Sequence, residues 1–193
     1  AEPENVDVDG IVRGIHLVGK NAASGPKAKI LASGVAIPWA LEAQQLLLEW
    51  GVSADVWSVT SWTELRKDGL ASDEQKFLYP NSDPTMPYLT GKLADSEGPT
   101  LGVSDFMHSV PDMIRPWISG DYATLGADGF GFSDTRAAAR RYFKIDGPSI
   151  AVRVLEQLVA DQKIEPSVPQ LAIDKYRLHE VAAGTSGTAG GDA

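Results

Sequence analysis

Apolar residues in this chain come in short runs separated by segments of helical period, and the alternation predicts repeated strand–helix units. Ile11 to Val18 alternates at period two, with Ile11, Ile15 and Leu17 on one face and Gly14 and His16 on the other. That pattern predicts a strand at a sheet edge. Ile30 to Ala36 is a continuous apolar run with β-branched members, as in a strand covered on both faces. Ala54 to Thr60, Thr100 to Ser104 and Tyr122 to Leu125 read as further short buried strands.

Between these runs the period changes. Pro38 suits a first helical turn, where its missing N–H costs nothing. The helix it opens, to Trp50, carries Ala40, Ala43, Leu47 and Trp50 on one face, and Gly51 ends it in a left-handed conformation. Ser61 and Glu64 have the spacing of a capping box, so a helix starts at Trp62, with Gly69 limiting its first part. Asp68 to Pro87 reads as irregular, and Tyr88 to Ala94 as one or two helical turns. Pro111 and Pro116 break the helical pattern of Phe106 to Ile118. Gly147-Pro148-Ser149 opens the strongest helix, striped by Ile150, Val154, Leu155, Leu158 and Val159, and Val168 to Tyr176 forms a last one. Strands alternating with helices predict an α/β fold, three layers deep, around a mostly parallel sheet.

Composition narrows the partners. The chain has 193 residues, 43% of them apolar, and a net charge of −9. Nucleic acid is excluded as the main partner, because phosphate neutralisation needs clustered basic residues, and the only dense group is Arg136, Arg140 and Arg141. No window reaches the roughly 18 apolar residues of a membrane span. The absence of cysteine removes disulfide and thiolate chemistry and fits a cytoplasmic protein. Ala1 to Asp9 reads as an acidic linker, 10–180 as the globular domain, and the glycine-rich 181–193 as a disordered tail.

The stretch Gly120 to Asp146 combines a strand, a glycine turn and a capped helix. Gly126, Gly129 and Gly131 allow a sharp turn at the strand's C-terminal end, and Ser133 or Asp134 can cap the helix bearing the arginines. Tyr142 and Phe143 would pin that helix to the body. Asp105, His108 and Asp112 can be drawn on one helical face, although a cap and a surface histidine explain them as well. No nucleophile elbow and no dinucleotide-binding glycine pattern is present. By the crevice rule, the strand ends Ser33-Gly34, Thr60-Ser61, Ser104-Asp105 and Asp128 border one edge where a ligand or partner would gather.

Leu125-Gly-Ala-Asp-Gly-Phe-Gly-Phe-Ser-Asp-Thr-Arg136 resembles the LGTDGFGRSDTR run in the C-terminal domain of the homodimeric thiamine-diphosphate-dependent pyruvate dehydrogenases. Asp55-Val-Trp-Ser-Val-Thr-Ser-Trp-Thr-Glu-Leu65, Ile30-Leu-Ala-Ser-Gly34 and Gly14-Ile15 also match that family, so the resemblance spans residues 10 to 176. Phe132 departs from the family's basic residue, and Ala138 and Ala139 from its polar ones. The resemblance implies a five-stranded sheet with the first strand antiparallel. It also implies a chain that scaffolds a larger enzyme, which decarboxylates pyruvate and acetylates the lipoyl group of an acetyltransferase component. Thiamine diphosphate and magnesium would belong to that larger enzyme. This chain has Gly120-Asp121-Tyr122 in place of the cofactor-binding GDG motif, and no asparagine downstream.

The site this reading favours is therefore a docking loop: Gly126, Asp128, Gly129, Gly131, Ser133, Asp134 and Arg136, set against neighbouring domains of the same subunit and of its dimer partner. The alternatives are a small-anion site formed by Ser133, Arg136 and Arg140 at a helix N-terminus, and a protein-interaction module acting through the acidic surface.

Overall fold

A computed structural model describes residues 6–185. In chain order the elements are α1 (Val8–Arg13), β1 (Ile15–Gly19), β2 (Lys27–Ala32), α2 (Ile37–Leu48), β3 (Ser53–Val59), α3 (Trp62–Leu78), α4 (Tyr88–Leu93), β4 (Thr100–Val103), α5 (Ser109–Asp112), β5 (Tyr122–Leu125), α6 (Arg136–Tyr142), α7 (Gly147–Ala160) and α8 (Val168–Tyr176). The five strands form one sheet in the order β1-β3-β2-β4-β5, with β1 antiparallel to β3 and the other pairs parallel. The fold is the expected three-layer α/β arrangement.

Strand alternation divides the core. Ala28, Ile30 and Ala32 of β2, with Val56 and Leu101 beside them, face α2, α7 and α8. Leu31, Trp57 and Tyr122 face the other way, against Trp62 and Leu65 of α3, Leu89 of α4 and Trp117. Each fully buried Leu or Ile in these layers contributes about 1.5–3 kcal/mol by leaving water.

Several local expectations are corrected. Ile11 to Arg13 is not strand: Asp7 Oδ1 accepts from Gly10 N at 2.9 Å and starts α1, and Gly14, at φ 106°, ends it. β1 thus begins at Ile15. β2 stops at Ala32, because Gly34–Ala36 makes a 3₁₀ turn leading into α2. The segment expected to be irregular after Asp68 is helical to Leu78. Gly69 does not limit α3, since its bare Cα face is where the Trp117 ring lies. Ser61 Oγ accepts from Glu64 N at 3.2 Å, but Ser61 N donates to Gly14 O, so the reciprocal half of the capping box is not formed. Of the glycine-rich end, Val181–Thr185 is a 3₁₀ turn beside α6, and the remaining tail lies outside the described residues.

Candidate functional site

The C-terminal ends of the parallel strands are laced together by backbone and hydroxyl groups. Ser104 N donates to Leu125 O (3.1 Å), and Ala127 N to Phe106 O (2.9 Å). Ser33 Oγ lies 3.4 Å from Ser104 Oγ, which also accepts from Phe106 N at 3.0 Å. The loops leaving β4 and β5 therefore touch. Gly126 is needed for this contact: a Cβ there would stand 2.7 Å from both His108 N and Phe106 O.

Asp128 joins the two loops a second time. One carboxylate oxygen accepts from His108 N at 2.9 Å, and the other lies 2.6 Å from His108 Nδ1. The His108 backbone N–H, then the ring, holds the Asp128 carboxyl below its ordinary range. His108 is thus paired across the crevice, not with Asp105 or Asp112 along a helix. Asp112 instead meets Arg115 and Thr124.

Beyond Asp128 the chain turns outward. Gly129 has φ 91°, a left-handed conformation that a β-branched residue strains to adopt. Phe130 follows at 98% exposure, and Gly131 stands in open space. Phe132 stacks on Tyr142 at 4.3 Å between ring centroids and 6° between planes. Neither Ser133 nor Asp134 caps α6. Thr135 Oγ1 does, accepting from Ala138 N at 3.3 Å, while Asp134 accepts from Thr135 N.

The arginines do not form one patch. Arg141 is buried, donating to Asp146 at 2.5 Å and to the carbonyls of Tyr176 and Arg177. Arg140 lies over the Trp39 ring at 4.0 Å. Arg136 stands in the first turn of α6 and is exposed. The grouping seen along the sequence is dispersed by the helix.

Two features escaped the sequence reading. One is the pairing of His108 with Asp128, two residues from different loops with no local signal. The other is an apolar rim: Phe106 (58% exposed), Met107 (57%) and Val35 (54%) sit with Phe130 at the same strand ends. Phe130, set between glycines outside any periodic segment, was the available clue. Such a rim fits a contact surface better than reactive chemistry.

Residues 14–146 match the family model of the transketolase-like TK C-terminal domain. The chain belongs to this family. Its relatives include the pyruvate dehydrogenase E1 component of Mycobacterium tuberculosis, 54% identical over 94% of this chain and 20% of that protein. The E1 components of Mycolicibacterium smegmatis and Escherichia coli are 50% and 33% identical, over 95% and 92% of the chain. The chain spans about 20% of the length of these relatives. Among solved structures, transketolase from Pichia stipitis superposes with a TM-score of 0.53 at 19% identity, covering 83% of this chain and 20% of that one. Transketolase from Campylobacter jejuni gives 0.52 at 18%, covering 81% and 20%. The structural likeness shows the fold.

The Gly120-Asp121 pair does not fit a diphosphate–metal site. Gly120-Asp121 lies at the N-terminal end of β5, remote from the strand-end rim, and the Asp121 carboxylate accepts from Gln157 Nε2 at 2.7 Å. Among the described residues no three His, Asp or Glu side chains converge to hold a metal ion. No helix among them is long and apolar enough to cross a membrane.

Proposed function

We propose that this chain is the C-terminal, non-catalytic domain of a pyruvate dehydrogenase subunit. The 54% identity over 94% of the chain to an E1 component carries the reading. The whole cytoplasmic enzyme decarboxylates pyruvate on thiamine diphosphate and magnesium held by its other domains. It passes the acetyl group to the lipoyl arm of an acetyltransferase. This domain supplies a rigid block, with the loop from Gly126 to Arg136 docked on a neighbouring domain and supporting the homodimer.

Two observations support that role. Phe130 is almost wholly exposed on a stalk between glycines, while the base of the stalk is fixed by Gly126 and Asp128. A rigid base with a protruding aromatic is the geometry of an interface anchor. The full-length enzyme tests both parts separately. Failure to consume pyruvate with thiamine diphosphate and magnesium bound would reject the activity. For docking, Phe130→Ser should weaken dimerisation by at least about 2 kcal/mol, as truncating an interface anchor does. An unchanged dimer dissociation constant by sedimentation would reject the docking role.

A further inference from the structure

α1 inverts the usual arrangement of an amphipathic helix. At about 100° per residue, Val8, Ile11 and Val12 share one face and Gly10 lies on the opposite one. The apolar face is the one turned to solvent. Val8 is 63%, Ile11 36% and Val12 72% exposed, while Gly10 is buried against the body. Gly10 is needed there, because a Cβ would stand 2.7 Å from Ile15 O.

Polar contacts pin α1 in this orientation. Lys92 Nζ lies 2.6 Å from Asp7 Oδ2, and Thr60 Oγ1 donates to Ile11 O at 2.7 Å. Arg13 lies 3.5 Å from Asp68 and 3.7 Å above the Tyr88 ring. A six-residue helix falls well below the roughly 12–15 residues at which an isolated helix becomes even marginal in water. These ties therefore build a short apolar ridge and present it outward, where it gains nothing from water.

The size of the ridge decides what covers it. Three side chains fall far short of the roughly 800 Å² per partner that a stable complex between separate molecules buries. A tethered neighbour needs no such area, because its effective concentration is already on the order of millimolar. The tether is in the right place. α1 ends where the match to the family model begins, at residue 14, and that family is a C-terminal domain. The chain covers 20% of the length of the E1 component of Mycobacterium tuberculosis, so in a subunit of that length the preceding chain leads into α1. We propose that the Val8, Ile11 and Val12 face of α1 docks on an apolar surface of the domain that precedes this one in the same polypeptide, making α1 the rigid joint between them. The inference rests on reading this chain as the C-terminal domain of an E1 subunit, and it concerns residues other than the Phe130 loop.

The full-length enzyme carries the test. Asp9→p-benzoylphenylalanine puts a photoreactive group on an exposed position at the edge of the ridge. Irradiation should cross-link it to a peptide upstream of this domain. Mass spectrometry of dimers mixed from isotope-labelled and unlabelled subunits should place that peptide in the same subunit. Val12→Ser hardly changes helix propensity but removes an apolar contact, so trypsin should cut after Arg13 at least about tenfold faster. Cross-links confined to the other subunit or to no protein at all, or cleavage after Arg13 at the parental rate in Val12→Ser, would each overturn the proposal. Pyruvate consumption by the unsubstituted enzyme is measured alongside. Its absence would reject the enzyme assignment, while the cross-link decides the docking separately.

Discussion

Gly69 lies in the middle of a 17-residue helix, where glycine normally costs about 1 kcal/mol relative to alanine. Here the preference reverses. A Cβ would stand 2.3 Å from the Trp117 ring, whose Nε1 is fixed by Asp73 at 2.9 Å and cannot move freely. Gly69→Ala should therefore destabilise by about 1–3 kcal/mol, as overpacking does, measured by urea unfolding. Gly131→Ala, in open space, should leave stability unchanged. The buried pair of Arg141 and Asp146 makes a larger demand. Arg141→Met leaves Asp146 buried without its cation and the carbonyls of Tyr176 and Arg177 without their donor. A loss of about 3–5 kcal/mol is expected in the same experiment. Along the sequence Arg141 looked like one of three solvated charges. Only its hydrogen bonds to the cap of α7 and to the end of α8 reveal it as a structural pin.

Elements show how charge and caps set stability against pH. Glu42 of α2 lies beside the first turn of α7, close to the Gly147 Cα. Burial first, then Asp146, raises its pKa, with Arg141 pulling the other way. The folded protein holds this proton more tightly than the unfolded chain does. The resulting stabilisation is full below the ordinary glutamate range, about 4.3, and is lost as pH rises through the raised value. Glu42→Gln should remove that slope, so its advantage over the parent should grow towards neutral pH in unfolding titrations. α1 behaves oppositely. The Lys92 ammonium, then the Gly10 N–H, holds the Asp7 carboxyl below its ordinary range. Acidification through that depressed range should release α1, and Asp7→Ala, which removes both the cap acceptor and the Lys92 pair, should release it at neutral pH, read as faster exchange of the Gly10 amide. The sequence reading placed strand at Ile11 because period two matched. It missed the helix because six residues between a capping aspartate and a left-handed glycine are too few to show helical period.

For the whole molecule, the relation between sequence and structure follows the range of the interactions involved. Strand runs, the α2 and α7 stripes and the end of β5 were legible because side-chain period and apolar runs are local consequences of backbone geometry. The glycine loop was legible as a turn, and the family of the chain followed from its motif. The position of Phe130 on the outer rim predicts that Phe130→Ser leaves the unfolding free energy of the domain unchanged while weakening the dimer. Equal losses in both measurements would place Phe130 in the domain's own core. What the sequence determined by itself was the order and type of most elements, because hydrophobic period and turn residues act over a few positions. The tertiary structure alone decided which polar groups meet. His108 with Asp128 and Arg141 with Asp146 come together only when the sheet aligns distant segments and excludes water between them.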